Sequence, residues 1–150
     1  MVKDTVGIIG ASKCTPQEYE RAYKLGKGLA QAGHPVVCGG LSGIMEAVSK
    51  GVAEEGGLAV GILPQSHPSH ANPYITIAVA TGLGHARNFV IVNTSKVLIA
   101  VGGEYGTLSE IALALKTGKT VLGLDTWQIP GVVKMTSVEE ALKTVREILL

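Results

Sequence analysis

Three segments of this 150-residue chain are made largely of small residues and stand where apolar runs end. They are Gly10-Ala11-Ser12, Cys38-Gly39-Gly40-Leu41-Ser42-Gly43 and Gly102-Gly103-Glu104-Tyr105-Gly106-Thr107. Small residues let a backbone approach a ligand closely, and the last two segments lead straight into predicted helices. The first turn of a helix carries unpaired N–H groups and the positive end of the helix dipole, so it attracts an anion. The chemistry these residues suit is the binding of a phosphate-bearing small molecule. The chain has 20 glycines, where average usage of about 7% predicts roughly ten.

Two familiar phosphate motifs are missing. No Gly-x-x-x-x-Gly-Lys-Ser/Thr occurs, which argues against a P-loop NTPase. The first glycine turn, Gly7-Ile8-Ile9-Gly10-Ala11-Ser12, lacks the dinucleotide spacing, and no acidic residue follows the second apolar run to hold a ribose. An NAD enzyme is disfavoured on both counts.

The elements that must position these segments alternate between strand-length apolar runs and helix-length stretches. That pattern predicts βαβ units: an α/β fold, Rossmann-like, with a doubly wound parallel sheet in three α/β/α layers. Six strands are expected: Thr5–Gly10, Pro35–Cys38, Leu58–Leu63, Tyr74–Ala80, Lys96–Val101 and Thr120–Leu124. A helix opens at Thr15-Pro16-Gln17-Glu18 with a capping box, and another at Ser137-Val138-Glu139-Glu140. Gly43 starts a helix that Gly56-Gly57 ends, one runs from about His85 to Asn93, and one from Thr107 to Lys116. Ligands of such sheets bind beyond the carboxyl ends of the strands, where all three glycine-rich segments fall. No repeat or linker interrupts the pattern, so residues 1–150 read as a single domain.

Composition narrows the class. Thirteen basic and twelve acidic residues leave a net charge of +1, and aromatics are 4% of the chain. A polyanion-wrapping surface needs a basic groove and stacking platforms, so no nucleic-acid partner is expected. No apolar stretch is long enough for a membrane span and no signal peptide is evident, which predicts a cytoplasmic protein. Cys14 and Cys38 read as free thiols. No metal site is expected, since His67 and His70 have no acidic or cysteine partner nearby. Phe89-Val90-Ile91-Val92 and the Thr107–Lys116 helix have almost no polar face. Both should be buried on most sides, which predicts a homodimer or homotetramer.

Two of the glycine segments resemble the Lonely Guy family. Gly39-Gly40-Leu41-Ser42-Gly43-Ile44-Met45-Glu46-Ala47-Val48 is similar to its Gly-Gly-x-x-Gly-Leu-Met-Gly-Ala segment. Gly103-Glu104-Tyr105-Gly106-Thr107-Leu108-Ser109-Glu110 is similar to its Pro-Gly-Gly-x-Gly-Thr-x-x-Glu signature, and Arg87 stands where the family has Met-x-x-Arg-Lys. The resemblance runs from the first strand to about Leu124. It implies a phosphoribohydrolase that cleaves the N-glycosidic bond of a nucleoside 5′-monophosphate with no required cofactor. It would have Gly103, Gly106 and Thr107 cradle the phosphate, with Glu110 and Arg87 as the catalytic pair. A carboxylate there would stabilise an oxocarbenium-like centre.

Three residues depart from the family pattern. Gly102 and Glu104 replace its proline and second glycine, and Asn88 replaces the lysine. These changes resemble a branch that includes molybdenum-cofactor carrier proteins. That implies the alternative of a non-catalytic protein whose ligand is a pterin with a terminal phosphate. Single-stranded DNA binding, as in related DNA-processing proteins, fits the composition least.

Several of these residues also have plainer explanations. Thr107-Leu108-Ser109-Glu110 spells another capping box, Arg87 could serve an ion pair, and Ser12 and Ser42 suit turns. His85 suits a helix start. Tyr105 could stack on a base or pterin ring.

Overall fold

In the computed structural model, which describes residues 1–150, the apolar runs are strands because both of their faces are covered by helices. In chain order the strands are β1 (Thr5–Gly10), β2 (Val36–Cys38), β3 (Ala59–Leu63), β4 (Ile77–Ala80), β5 (Ser95–Val101), β6 (Thr120–Leu124) and β7 (Val132–Lys134). The helices are α1 (Pro16–Gln31), α2 (Ile44–Glu54), α3 (Arg87–Thr94), α4 (Tyr105–Lys116) and α5 (Val138–Ile148). The strands form one sheet in the order β4-β3-β2-β1-β5-β6-β7, every neighbouring pair parallel. The fold is the α/β, Rossmann-like, doubly wound architecture that the alternation predicts.

Side chains alternate across the sheet and so build two cores. Val6, Ile8, Val36, Cys38, Val97 and Ile99 face a core shared with Leu25, Leu29, Ile44, Val48 and Val145 from α1, α2 and α5. Ile9, Val37, Ile62, Leu98 and Ala100 face the other, against Ile91, Val92, Ile111 and Ala114 from α3 and α4. Three helices therefore cover one face and two cover the other.

The chain winds outward from β1 to β4, then crosses back through α3 to place β5 beside β1, with Gly10 level with Val101. Strand order reverses there, and the loops after β1 and β5 diverge to open a crevice at the carboxyl edge.

Local structure departs from expectation at definite places. The seventh strand, Val132–Lys134, is too short and too exposed to show a periodic pattern; it pairs with β6 and packs Val132 against the second core. β4 begins at Ile77 rather than Tyr74, because Asn72 and Tyr74 form a turn with Tyr74 N donating to Asn72 Oδ1. A 3₁₀ turn, Gly84–Ala86, precedes α3, so His85 lies before the helix proper. Within α3, Ile91 and Val92 are buried, but Phe89 is 55% exposed in the single chain. It is therefore not buried on most sides.

The Ser137 hydroxyl accepts from Glu140 N, but the Glu140 carboxylate reaches Thr136 instead of completing the box. Only α1 has the reciprocal box, between Thr15 and Glu18. No helix is long and apolar enough to cross a membrane.

Candidate functional site

The crevice is a cleft of about 470 Å³. Its walls come from the first loop (Gly10, Ala11, Ser12), the second (Gly39, Leu41, Met45), the start of α3 (Gly84, His85, Arg87, Asn88) and the start of α4 (Glu104, Gly106, Thr107), with Glu110 one turn deeper. Most of the residues singled out from the sequence thus converge on one cavity.

The first two loops are bound to each other. Ile44 N donates to the Ala11 carbonyl at 3.1 Å, and Ser42 Oγ donates to the Ser12 carbonyl at 3.2 Å. Ser42 therefore acts as a tie between loops, and Gly43 packs against the Ala11 and Ser12 carbonyls. Gly40 lies under Leu63, its carbonyl accepting from Asn72 N at 2.8 Å. Neither Gly40, Ser42 nor Gly43 lines the cleft. Gly39 does, and a Cβ there would press on the Met45 sulfur at 2.6 Å and on an Arg87 guanidinium nitrogen at 2.7 Å, so a larger residue would displace the Arg87 head group.

α4 begins at Tyr105 with Glu104 as its N-cap, and no side chain caps it. Thr107 is consequently inside the first turn, almost fully buried, which rules out the capping-box reading of Thr107 and Glu110. The helix starts earlier than the sequence suggests because Gly102 and Gly103 turn the chain sharply, both at positive φ. Gly102 is constrained twice, since its φ is +54° and a Cβ would collide with the Glu18 carboxylate. The first-turn amides of α4, Tyr105, Gly106 and Thr107, have no backbone or side-chain acceptor.

Below those amides, Glu110 is 7% exposed and makes no hydrogen bond or ion pair with the protein. Burial pushes its carboxyl up to about 7, against the opposing pull of Arg87. Arg87 is half-buried, and desolvation lowers the affinity of its guanidinium for a proton. Its Nη1 donates to the Asn88 side-chain oxygen, while its Nε is buried without any partner. The two groups share the cleft floor but are not directly paired. A donor and a carboxyl group, both buried and incompletely bonded, are the marks of a site that expects a polar ligand.

The buried Cys38 thiol beneath this floor is raised by desolvation and bonds weakly to Ser49 and the Met45 carbonyl. The His67 ring is engaged within its own turn, with Ser69. Tyr105 is 81% exposed and does not line the cleft; it packs at a tilt on Trp127, ring centroids 5.9 Å apart. Trp127 escaped the sequence reading. Its one signal was being the only tryptophan of the chain, set in a polar loop.

The model of the SLOG cluster4 family matches residues 3–148, and the chain belongs to that family, within a superfamily that includes Lonely Guy proteins. It is 50% identical over 119 residues, 79% of this chain and 78% of the other, to a protein of Archaeoglobus fulgidus. Among solved structures it is similar to the molybdenum cofactor binding protein of the phototrophic bacterium Rippkaea orientalis. That likeness has 35% identity, covers 100% of this chain and 99% of the other, and has a TM-score of 0.94. It is also similar to the molybdenum cofactor carrier protein of Chlamydomonas reinhardtii, at 32% identity over 98% and 99% of the chains, TM-score 0.89. A DNA processing protein A from Helicobacter pylori, 18% identical with TM-score 0.76 over 98% of this chain and 82% of the other, shares the fold alone.

Proposed function

Starting from membership of the SLOG cluster4 family, we propose that this protein binds a phosphorylated pterin of the molybdenum-cofactor kind and carries it without breaking a bond. The phosphate is held by the open first-turn amides of α4, with Gly10, Ala11 and Ser12 facing it across the cleft. Arg87 offers its unpartnered Nε and Glu110 its carboxyl to the polar atoms beyond the phosphate. A cleft of about 470 Å³ has room for such a molecule. The whole-length likeness to two proteins named for this cofactor supports the same ligand class.

The whole-length likeness to two molybdenum-cofactor proteins carries the choice of carriage over hydrolysis, and the departures at Gly102, Glu104 and Asn88 from the Lonely Guy pattern favour it too. Arg87 turns to Asn88 rather than to Glu110. The phosphoribohydrolase that the Lonely Guy motifs suggest therefore ranks second. The presence of Glu110 and Arg87 in one cleft keeps it as the other arm of the test.

Purified protein is to be titrated with a fluorescent phosphorylated pterin and its dephosphorylated counterpart, and separately incubated with nucleoside 5′-monophosphates. Carriage predicts binding of the phosphorylated pterin only, and no free base. Base release that vanishes in Glu110→Gln would replace this reading with hydrolysis.

Self-association as a homodimer or homotetramer is part of the proposal. Ile77, Val79, Leu83 and Phe89 are large apolar side chains left exposed on and beside the thinly covered two-helix side of the sheet. Light scattering on the eluting protein should give a multiple of 15.5 kDa. A monomer at micromolar concentration would remove this part.

A further inference from the structure

We infer that Thr126 and Trp127, on the loop between β6 and β7, are positioning residues for the bound anion, holding the Gly102–Glu104 turn in the shape that aims the α4 amides. This rests on the reading of the cleft as a phosphate site, though not on the identity of the ring attached to the phosphate.

The turn is gripped from one direction by the last residue of β6 and two residues of this loop. Gly102 N donates to the Leu124 carbonyl at 3.0 Å, and Thr126 Oγ1 donates to the Gly102 carbonyl at 2.5 Å. Trp127 Nε1 donates to the Glu104 carbonyl at 3.1 Å. That same carbonyl accepts Leu108 N at 3.0 Å, the first bond of α4, so the indole fixes the residue on which the helix starts. The indole ring also packs on Tyr105, the first helical residue.

The loop is itself anchored. Asp125, the sole non-glycine residue at positive φ (47°), pairs with Arg21 of α1, while Glu18 of the same helix occupies the space beside Gly102. Neither Thr126 nor Trp127 lines the cleft. Their effect passes through the turn. Amides aimed in advance bind an anion without the ordering that a free turn would require. Independent signs of a ligand in this cleft are the buried, unbonded Glu110 carboxyl and the orphaned Arg87 Nε.

Inorganic phosphate is the probe, titrated while the backbone amides of Tyr105, Gly106 and Thr107 are followed by proton–nitrogen NMR. In wild type these amides should shift saturably. Thr126→Val removes only a hydroxyl, and Trp127→Phe removes the N–H while keeping an aromatic ring. Each should weaken phosphate binding by about three- to tenfold, the worth of one hydrogen bond. Trp127→His, which retains a ring N–H, should recover part of the loss. Ile129→Ala, in the same loop but away from the turn, should lower the thermal midpoint and leave phosphate affinity unchanged.

Wild-type affinity in both variants overturns the inference, as does an equal loss in Ile129→Ala or a wild type whose amides ignore phosphate. If phosphate behaves as expected while no phosphorylated pterin binds, the loop's role stands and the carrier reading falls.

Discussion

Apart from α3, which continues from the Gly84–Ala86 turn, the helices start near the carboxyl edge of the sheet directly after parallel strands, and their first turns are finished in two ways. α1 and α5 close themselves: Thr15 and Ser137 each accept from a backbone N–H three residues on. α2 and α4 start after Gly43 and Glu104 without any side-chain cap, and both open on the cleft. The capped pair spends its terminal donors on stability. Of the uncapped pair, α2 gives its first amide, Ile44 N, to the Ala11 carbonyl, whereas α4 leaves its first-turn amides free for a small anion. Carboxyl groups follow the same division. Glu140 at the start of α5 is half-buried, and Thr136 holds it below the usual carboxylate range. Glu110 of α4 is buried without a hydrogen-bonding partner and pushed upward. In one part of the molecule charge supports the fold, and in the other the fold tolerates a group that serves something else.

The contrast can be broken most forcefully at Glu110. A carboxyl raised from 4.5 to about 7 destabilises nothing below pH 4.5, since it is protonated folded and unfolded alike. Its penalty builds between about pH 4.5 and 7, where the unfolded chain ionises and the folded one does not, and levels off above pH 7 at on the order of 3 kcal/mol. Glu110→Gln should therefore melt higher than wild type at pH 8 and together with it at pH 4. Equal melting at pH 8 would mean that the carboxyl is not desolvated.

Glu104→Asp comes next, because it keeps the charge but supplies a good cap to α4. It should stabilise the protein by about 1 kcal/mol and weaken phosphate binding several-fold, as the new cap competes for the same amides. A gain in stability with undiminished binding would detach the ligand from those amides.

Thr15→Ala should cost about 1 kcal/mol and leave phosphate affinity alone; a loss of affinity would show that the two kinds of helix start are not independent. The smallest effect belongs to Glu140→Gln. Its lowered carboxyl contributes stability above the unfolded value that disappears as pH falls through the folded one. The variant should thus be slightly weaker at pH 7 and equal to wild type in strong acid, read by thermal melts at both.

Much of this division was legible in the residues. Thr15-Pro16-Gln17-Glu18 announces a capped start because a capping box is local chemistry. The sheet was legible because strands buried on both faces read as continuous apolar runs. Thr107-Leu108-Ser109-Glu110 misleads because it spells the same box, while the helix start is set two residues earlier by two glycines at positive φ, with Glu18 of another helix packed against the first. The glycine segments converge as their positions after strands require. But the sequence cannot separate glycines that face the cleft, such as Gly39, from those that let loops pack, such as Gly43. Thr126 and Trp127 stayed hidden because their partners are 23 to 24 residues away, main-chain carbonyls that carry no sequence signal.

Trp127 brings one practical consequence. As the only tryptophan of the chain, bonded to the residue that starts α4 and packed on Tyr105, it is a built-in optical reporter. Its emission should follow the local geometry at the mouth of the cleft, so loading and release can be watched in unlabelled protein by fluorescence alone.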